Sequence, residues 1–174
     1  ESSMGHIRDL PQPSELPTDM KKGPFGKFAV DTGERLAIVS HAIADLAALH
    51  GIEFDAVGGL TMGADPLAHG VAMVTGKAWF SVRKEQKTRG HEGWIEGTRL
   101  EPGTRVLLVD DVISTGGSTE IAYDRVTALG VVVTGVIPMV DRGDVAAGRF
   151  ARRNVPFVAL VTYRDLGIDP VKDV

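Results

Sequence analysis

Apolar residues along the chain follow two patterns that alternate. From Thr32 to Gly51 they recur at three- and four-residue spacing, which predicts an amphipathic helix, and further helices are predicted at 65–74, about 118–129 and roughly 144–153. Short apolar runs lie between the helices, at 54–57, 78–82, 105–110, 131–140 and 155–161. Strands that are apolar on both faces and alternate with helices indicate an α/β fold, with a central parallel sheet of about five strands flanked by helices.

Glycines follow several of these predicted strands. The chain has 21 glycines in 174 residues, well above the usual share of roughly 7%. Because right-handed crossovers place the carboxyl ends of parallel strands on one edge of the sheet, the glycine-rich segments are expected to meet there. Glycine lets the backbone approach a neighbour closely, so this edge is the predicted ligand site.

The amino-terminal residues differ from the rest. Residues 1–31 are rich in proline, glycine and polar types, which indicates an irregular arm or small cap on a single core formed by residues 32–174.

Composition narrows the function classes. The absence of cysteine excludes disulfides, thiolate metal sites and a cysteine nucleophile. The formal net charge of −4 gives no general signal for nucleic-acid binding. No apolar run approaches 18 residues and the start lacks an apolar signal region, so we expect a cytoplasmic protein with no membrane partner.

The most informative segment is the predicted strand that ends in Asp110 and Asp111 and the polar loop that follows it. The loop consists of Ser114, Thr115, Gly116, Gly117, Ser118 and Thr119. Backbone N–H groups at a helix start, together with hydroxyls, form an anion pocket. The two acids would repel a bare phosphate, so they are expected to face a neutral polyol or an electropositive centre beside it. A ribose 5-phosphate satisfies both halves, whereas the spacing matches neither a Walker loop nor a dinucleotide fingerprint.

Residues Val109–Thr119 resemble the phosphoribosyl pyrophosphate (PRPP) motif of the type I phosphoribosyltransferases. The resemblance implies a Rossmann-like fold with a small amino-terminal hood. It also implies that Asp110 and Asp111 contact the ribose hydroxyls and that residues 114–119 hold the 5-phosphate. Mg²⁺ is expected to bind through PRPP, so no direct protein ligand is required. Asp110 and Asp111 are the candidates for direct ligands.

A second segment is strongly basic. Arg83, Lys84, Lys87 and Arg89 lie within seven residues, and a cationic loop of this kind can neutralise a pyrophosphate leaving group. The pattern, which ends in Ile-Glu-Gly, is similar to the catalytic loop of orotate phosphoribosyltransferases. That resemblance implies pyrophosphate binding and a homodimer in which the 83–97 loop is shared across the interface. The chain departs from the family pattern at Arg89 and His91, and either of them could replace the family's loop histidine.

Three further residues are assigned through the same resemblance. Thr61 lies in a segment, 58–68, that resembles the family's first pyrophosphate loop, although Gly63 replaces a lysine common there. Arg142 resembles the arginine that pairs with the orotate carboxylate, with Ser114 beside it. Lys21 corresponds to a hood lysine near the base or phosphate.

These observations predict an orotate phosphoribosyltransferase, which makes orotidine 5'-monophosphate and pyrophosphate from orotate and PRPP. Two alternatives stay open on the sequence: a phosphoribosyltransferase for a purine or other base, and a PRPP-sensing regulator of the same fold. A panel of bases would decide the first, and PRPP binding without turnover would indicate the second.

Overall fold

Helices and strands alternate along the chain, as the apolar pattern predicts. The computed structural model describes residues 30–85 and 93–172. Within them lie α1 (Gly33–Leu49), β1 (Ala56–Gly58), α2 (Asp65–Thr75), β2 (Ala78–Val82), β3 (Ile95–Gly97), β4 (Arg105–Ile113), α3 (Gly117–Thr127), β5 (Val132–Asp141), α4 (Val145–Ala151) and β6 (Val161–Thr162). The four helices agree with their predicted ranges to within two residues at each end.

One sheet of six strands runs through the centre, in the order β3-β2-β1-β4-β5-β6. Five of the strands are parallel, and β3 is an antiparallel edge strand on β2. Strand order reverses between β1 and β4, whose carboxyl ends are therefore neighbours. In an open α/β sheet, ligands bind in the crevice at such a switch point.

Helices cover both faces of the sheet, and two separate apolar clusters fill the layers. On one face, α1 and α2 pack against Leu107 and Val109 of β4. On the other face, α3 and α4 pack against Val106 and Leu108. Because neighbouring side chains of a strand point to opposite faces, a run of four apolar residues is buried throughout.

Several strand predictions were wrong. The first strand is Ala56–Gly58 rather than 54–57, and the last covers only Val161–Thr162 rather than 155–161. Pro156 cannot donate a ladder hydrogen bond, which shortens the regular pairing there. The predicted loop at 83–98 contains β3, because this part of the chain pairs with the open edge of β2. The sequence did not predict this strand, since three residues are too few to show the alternation of apolar and polar residues that is typical of a strand.

The prediction about the amino-terminal end of the chain lies mostly outside the described residues. The amino-terminal hood falls almost entirely within 1–29, so the division into 1–31 and 32–174 stays a prediction. In residues 30–85 and 93–172, none of the helices is long and apolar enough to cross a lipid bilayer.

Candidate active site at the switch point of the sheet

Asp110 and Asp111 lie at the carboxyl end of β4, where sheet and ligand crevice meet. The strand continues past them to Ile113, three residues beyond its predicted end, because β5 extends alongside and pairs Ile113 with Asp141. Asp110 is only 7% exposed, whereas Asp111 is half-buried. The Asp111 backbone N–H donates to Asp110 Oδ1 at 3.0 Å, so the Asp110 carboxylate is held against the backbone of the second acid.

The environment of Asp110 disfavours its charge. Burial and the neighbouring charge of Asp111 raise the pKa of Asp110 to about 7. The Thr119 hydroxyl acts in the opposite direction, since it donates to Asp110 Oδ2 at 3.0 Å. A carboxyl poised near neutrality responds strongly to a ligand: hydroxyl donors or a cation at the pair would favour the ionised form.

The Ser/Thr/Gly loop joins β4 to α3, as predicted. Gly116 directly precedes the first residue of α3, so the loop leads straight into the amino-terminal turn of the helix, whose first N–H groups have no partner within the helix. Thr119, assigned above to phosphate binding, is 1% exposed and its hydroxyl is directed to Asp110. The loop therefore supplies a hydrogen-bond donor that supports the acid pair, and phosphate binding by residues 114–119 stays a prediction.

The loop after β1 lies directly against the acid pair. A Cβ atom added to Gly63 would lie 2.7 Å from Asp111 Oδ1 and 3.2 Å from Asp110 Oδ1. Thr61, the predicted site residue of this loop, donates its hydroxyl to Asp65 Oδ2 at 2.6 Å. The first loop and the PRPP-like loop thus form two walls of one crevice.

The two described basic residues of the cationic segment lie at the same edge. Arg83 and Lys84 follow β2 and line an open pocket of about 520 Å³. Further lining residues are Thr61, Met62, Asp65, His69, Trp79, Ser81, Glu85 and Glu96. Arg83 Nη1 is 3.0 Å from Glu96 Oε1 of β3. The predicted site residues Lys21, Lys87, Arg89 and His91 lie outside the described residues.

Arg142 follows the end of β5 and is exposed. Its backbone N–H donates to the carbonyl of Ile113 at 2.8 Å, which places it beside Ser114 and the start of the phosphate loop. Asp141 before it is buried, and burial raises the pKa of the Asp141 carboxyl. The structure thus brings together the acid pair, residues 114–119, Arg142 and the first loop at one edge.

Reasoning from the sequence missed several side chains that support the site. Asp65 accepts from Ser81 Oγ at 2.6 Å as well as from Thr61, and so ties the first loop to β2. Glu120 of α3 pairs with Arg149 and, at 2.8 Å, with Arg153, and so joins α3 to α4. Asp65 lies within the 58–68 segment and Glu120 directly follows Thr119, so both acids stand beside residues that the sequence singled out. Their partners, however, are visible only in the tertiary structure.

The donor set for a metal is small. In residues 30–85 and 93–172, no group of three or more His, Asp or Glu side chains could hold a metal ion. The two adjacent carboxylates at the end of β4 supply oxygen ligands, which magnesium prefers.

Comparison with known proteins identifies relatives of this chain. No family model matches the chain. It is 34% identical over 154 residues to the orotate phosphoribosyltransferase of Methanospirillum hungatei, covering 82% of this chain and 88% of the relative. It is 40% identical over 143 residues to that of Streptomyces avermitilis, covering 79% and 77%.

A solved structure agrees with these relatives. Mycobacterium tuberculosis orotate phosphoribosyltransferase, in complex with PRPP, superposes with a TM-score of 0.69 at 32% identity, covering 80% of each chain. The resemblance inferred from the two motifs is confirmed, and so are the Rossmann-like fold and the parallel core of the sheet. The chain belongs to the orotate phosphoribosyltransferase family.

Proposed function

We propose that this protein transfers the 5-phosphoribosyl group of PRPP to orotate, giving orotidine 5'-monophosphate and pyrophosphate. One observation carries the proposal: the acid pair, the phosphate loop and Arg142 converge at the switch point of the sheet. These groups match the three parts of the reaction, namely ribose hydroxyls, 5-phosphate and the carboxylate of the base. Membership of the family supports the same activity.

In the reaction, the bond from ribose C1 to the pyrophosphate oxygen breaks and a bond from C1 to the ring nitrogen of orotate forms. Deprotonated orotate already carries its negative charge, so no strong base is required. The chain's contribution is to hold both reactants in line and to neutralise the departing pyrophosphate. Residues 114–119 fix the phosphate end of the ribose, while Arg83 and Lys84 face the leaving group.

The acid pair fits a magnesium-bound substrate. Asp110 and Asp111 present adjacent carboxylate oxygens and would hold the ion either directly or through the ribose hydroxyls. Magnesium, when bound, reduces the charge on the pyrophosphate. Occupation of this site would also stabilise the ionised form of Asp110, which burial disfavours.

The test is turnover with defined bases. Purified protein with PRPP and Mg²⁺ is expected to release pyrophosphate with orotate, and not with adenine, hypoxanthine or uracil. Arg142→Gln should raise the KM for orotate about 10- to 100-fold, because it removes the partner of the base carboxylate. The KM for PRPP should stay within about twofold, and Arg99→Gln on the exposed surface should match the wild type.

Two results would overturn the proposal. Turnover with a purine in the absence of orotate transfer would establish a different acceptor. Saturable PRPP binding with no turnover on any base would establish a sensing role instead.

We further propose a homodimer in which the 83–97 loop serves the partner's site. Exposed apolar side chains support an interface: Met62 is 78% exposed, Met73 72% and Trp79 37%. The cytoplasmic location and the absence of a nucleic-acid partner stay predictions.

Complementation tests the shared loop. Lys87→Ala and Asp110→Asn are each expected to abolish activity. When they are refolded together, activity should return to roughly a quarter of the wild-type value, because half of the dimers are mixed and each mixed dimer has one intact site. No recovery in a mixture shown by mass to contain mixed dimers would mean that the loop serves its own subunit.

A further inference from the structure

The cationic segment leaves the sheet at a defined point. Strands β2 and β3 pair antiparallel, with Val82 opposite Ile95. One residue further along each strand, the Arg83 N–H donates to the Trp94 carbonyl at 2.8 Å. Arg83 and Trp94 therefore face each other where the two strands separate.

A single guanidinium contacts both sides of this point. Arg125 Nη1 donates to the carbonyl oxygen of Arg83, and Arg125 Nη2 donates to that of Lys84 at 3.1 Å. Arg125 Cζ lies 3.7 Å from the centroid of the Trp94 ring. The planar, forked guanidinium can make both kinds of contact at once, and a lysine ammonium cannot.

The contacts to Arg83 and Lys84 use backbone carbonyl oxygens. Through these two hydrogen bonds, Arg125 fixes the path of the backbone at residues 83 and 84. The bonds do not involve the side chains of Arg83 and Lys84. Arg83 is further tied to β3 through the Nη1–Glu96 Oε1 pair at 3.0 Å. Together these contacts determine the position of the backbone from which the Arg83 and Lys84 side chains extend.

Arg125 belongs to the helix that also carries the phosphate loop. It lies eight residues after Gly117, the first residue of α3, or about 12 Å along the axis at 1.5 Å per residue. The first turns of the same helix supply the Thr119 hydroxyl that donates to Asp110. One rigid element thus contacts the acid pair and the base of the cationic segment.

We propose that Arg125 is a positioning residue, which fixes where Arg83 and Lys84 leave the sheet so that their side chains meet pyrophosphate. The inference rests on the proposed function, because it takes the role of these two cations from there. It adds to that function a residue outside the PRPP motif and outside the cationic segment.

Two measurements test the inference without requiring turnover. The chain has two tryptophans, so a Trp79→Phe background leaves Trp94 as the only one. Acrylamide quenching then reports the cover on the Trp94 ring, and calorimetry gives the Kd for inorganic pyrophosphate with Mg²⁺. Arg125→Met and Arg125→Lys are compared with Arg99→Met, an exposed arginine paired with Glu101.

For Arg125→Met, we expect quenching to increase about twofold and pyrophosphate to bind about 10-fold more weakly. Arg125→Lys should lie close to Arg125→Met, because it keeps the charge but loses the fork. If Arg125→Met does not fold, Arg125→Lys provides the same comparison. Arg99→Met should change neither value.

Several outcomes would overturn the inference. An unchanged pyrophosphate Kd would reduce Arg125 to a packing role, and weaker binding with unchanged quenching would mean that it acts directly on the ligand. The proposed function is judged separately, by transfer to orotate in the parent protein. If the parent binds pyrophosphate and the expected changes occur but orotate is not a substrate, only the proposed function fails.

Discussion

At the scale of single residues, the site combines a buried carboxylate with a hydroxyl that supports it. Asp110 is held at the end of an apolar strand beside a second acid, where water cannot fully solvate its charge. The ionised Asp110 carboxylate is therefore unfavourable in the ligand-free protein, at the position where ligand hydroxyls and a cation are expected to bind. Residues of this kind commonly reduce stability in exchange for function.

Asp110→Asn should stabilise the ligand-free protein at alkaline pH. The pKa of Asp110 is about 7 in the folded chain against an ordinary value of 3.8, so the stability that the protonated carboxyl contributes at low pH is lost as the pH rises from about 4 to about 7, and it stays lost at higher pH. Asparagine keeps the shape without the charge. We expect the Tm to rise by about 3 °C or more at pH 8.5 and the difference to shrink as the pH falls from about 7 to about 4.

Differential scanning fluorimetry at both pH values makes the measurement. Asp31→Asn, at an exposed carboxylate, provides the control. A Tm for Asp110→Asn that is lower than the wild type at pH 8.5 would contradict the argument.

Thr119→Val should change the pH dependence of activity. The Thr119 hydroxyl favours the charged form of Asp110, so its removal raises the pKa of Asp110 further. If the ionised pair binds the substrate, kcat/KM for PRPP should fall about 10-fold at pH 6.5 and less than threefold at pH 9. Thr119→Ser keeps the hydroxyl and should retain the wild-type profile; an equal loss at both pH values would indicate a packing defect instead.

At the scale of elements, the site depends on two loops that touch. The loop after β1 has no side chain at Gly63, which lets its backbone lie against the carboxylates at the end of β4. Thr61, Asp65 and Ser81 then link this loop to α2 and β2 through hydrogen bonds of 2.6 Å. The distance between the two walls of the crevice is therefore set by packing of the loop on the acids.

Gly63→Ala should separate these walls. The added Cβ would lie 2.7 Å from Asp111 Oδ1, so either the loop or the carboxylate must shift. We expect kcat/KM for PRPP to fall about 10- to 100-fold with little loss of Tm. Gly33→Ala, where a Cβ meets nothing within 4 Å, is the matched control. Full activity in Gly63→Ala would show that the crevice tolerates the shift.

At the scale of the whole molecule, the carboxyl-terminal segment supports the position assigned to the base. Val171 N–H donates to the Arg142 carbonyl at 2.7 Å, and Tyr163 N–H donates to that of Asp141 at 2.8 Å. Leu166 is buried in the core and anchors the segment between them. The last part of the described chain thus holds the backbone of the residue expected to select orotate.

Gly143→Ala should weaken orotate binding through this segment. A Cβ at residue 143 would lie 2.4 Å from the backbone oxygen of Val171, so the segment must move away from Arg142. We expect the KM for orotate to rise about 5- to 10-fold, with the KM for PRPP within twofold, in steady-state kinetics. Gly148→Ala in α4 is the control, since its Cβ makes only an ordinary contact. Equal effects on both KM values would contradict a selective role.

Local pattern was enough to predict the fold class and the central motif. The helix periods, the apolar strands and residues 109–119 are contiguous in sequence, and their physical meaning depends on near neighbours. They predicted the α/β core, the acid pair and the phosphate loop. The chain positions of Arg83, Lys84 and Arg142 were likewise visible as charges at strand ends.

The sequence alone therefore determined which chemistry the chain carries: acids and an anion loop on one buried strand. Only the tertiary structure decided how these groups are supported, as shown by Thr119 on Asp110, Gly63 against Asp111, Arg125 on Trp94 and Val171 on Arg142. All four contacts join residues that are 9 to 48 positions apart in the sequence. Such pairs arise from strand order and helix packing, which no local period encodes.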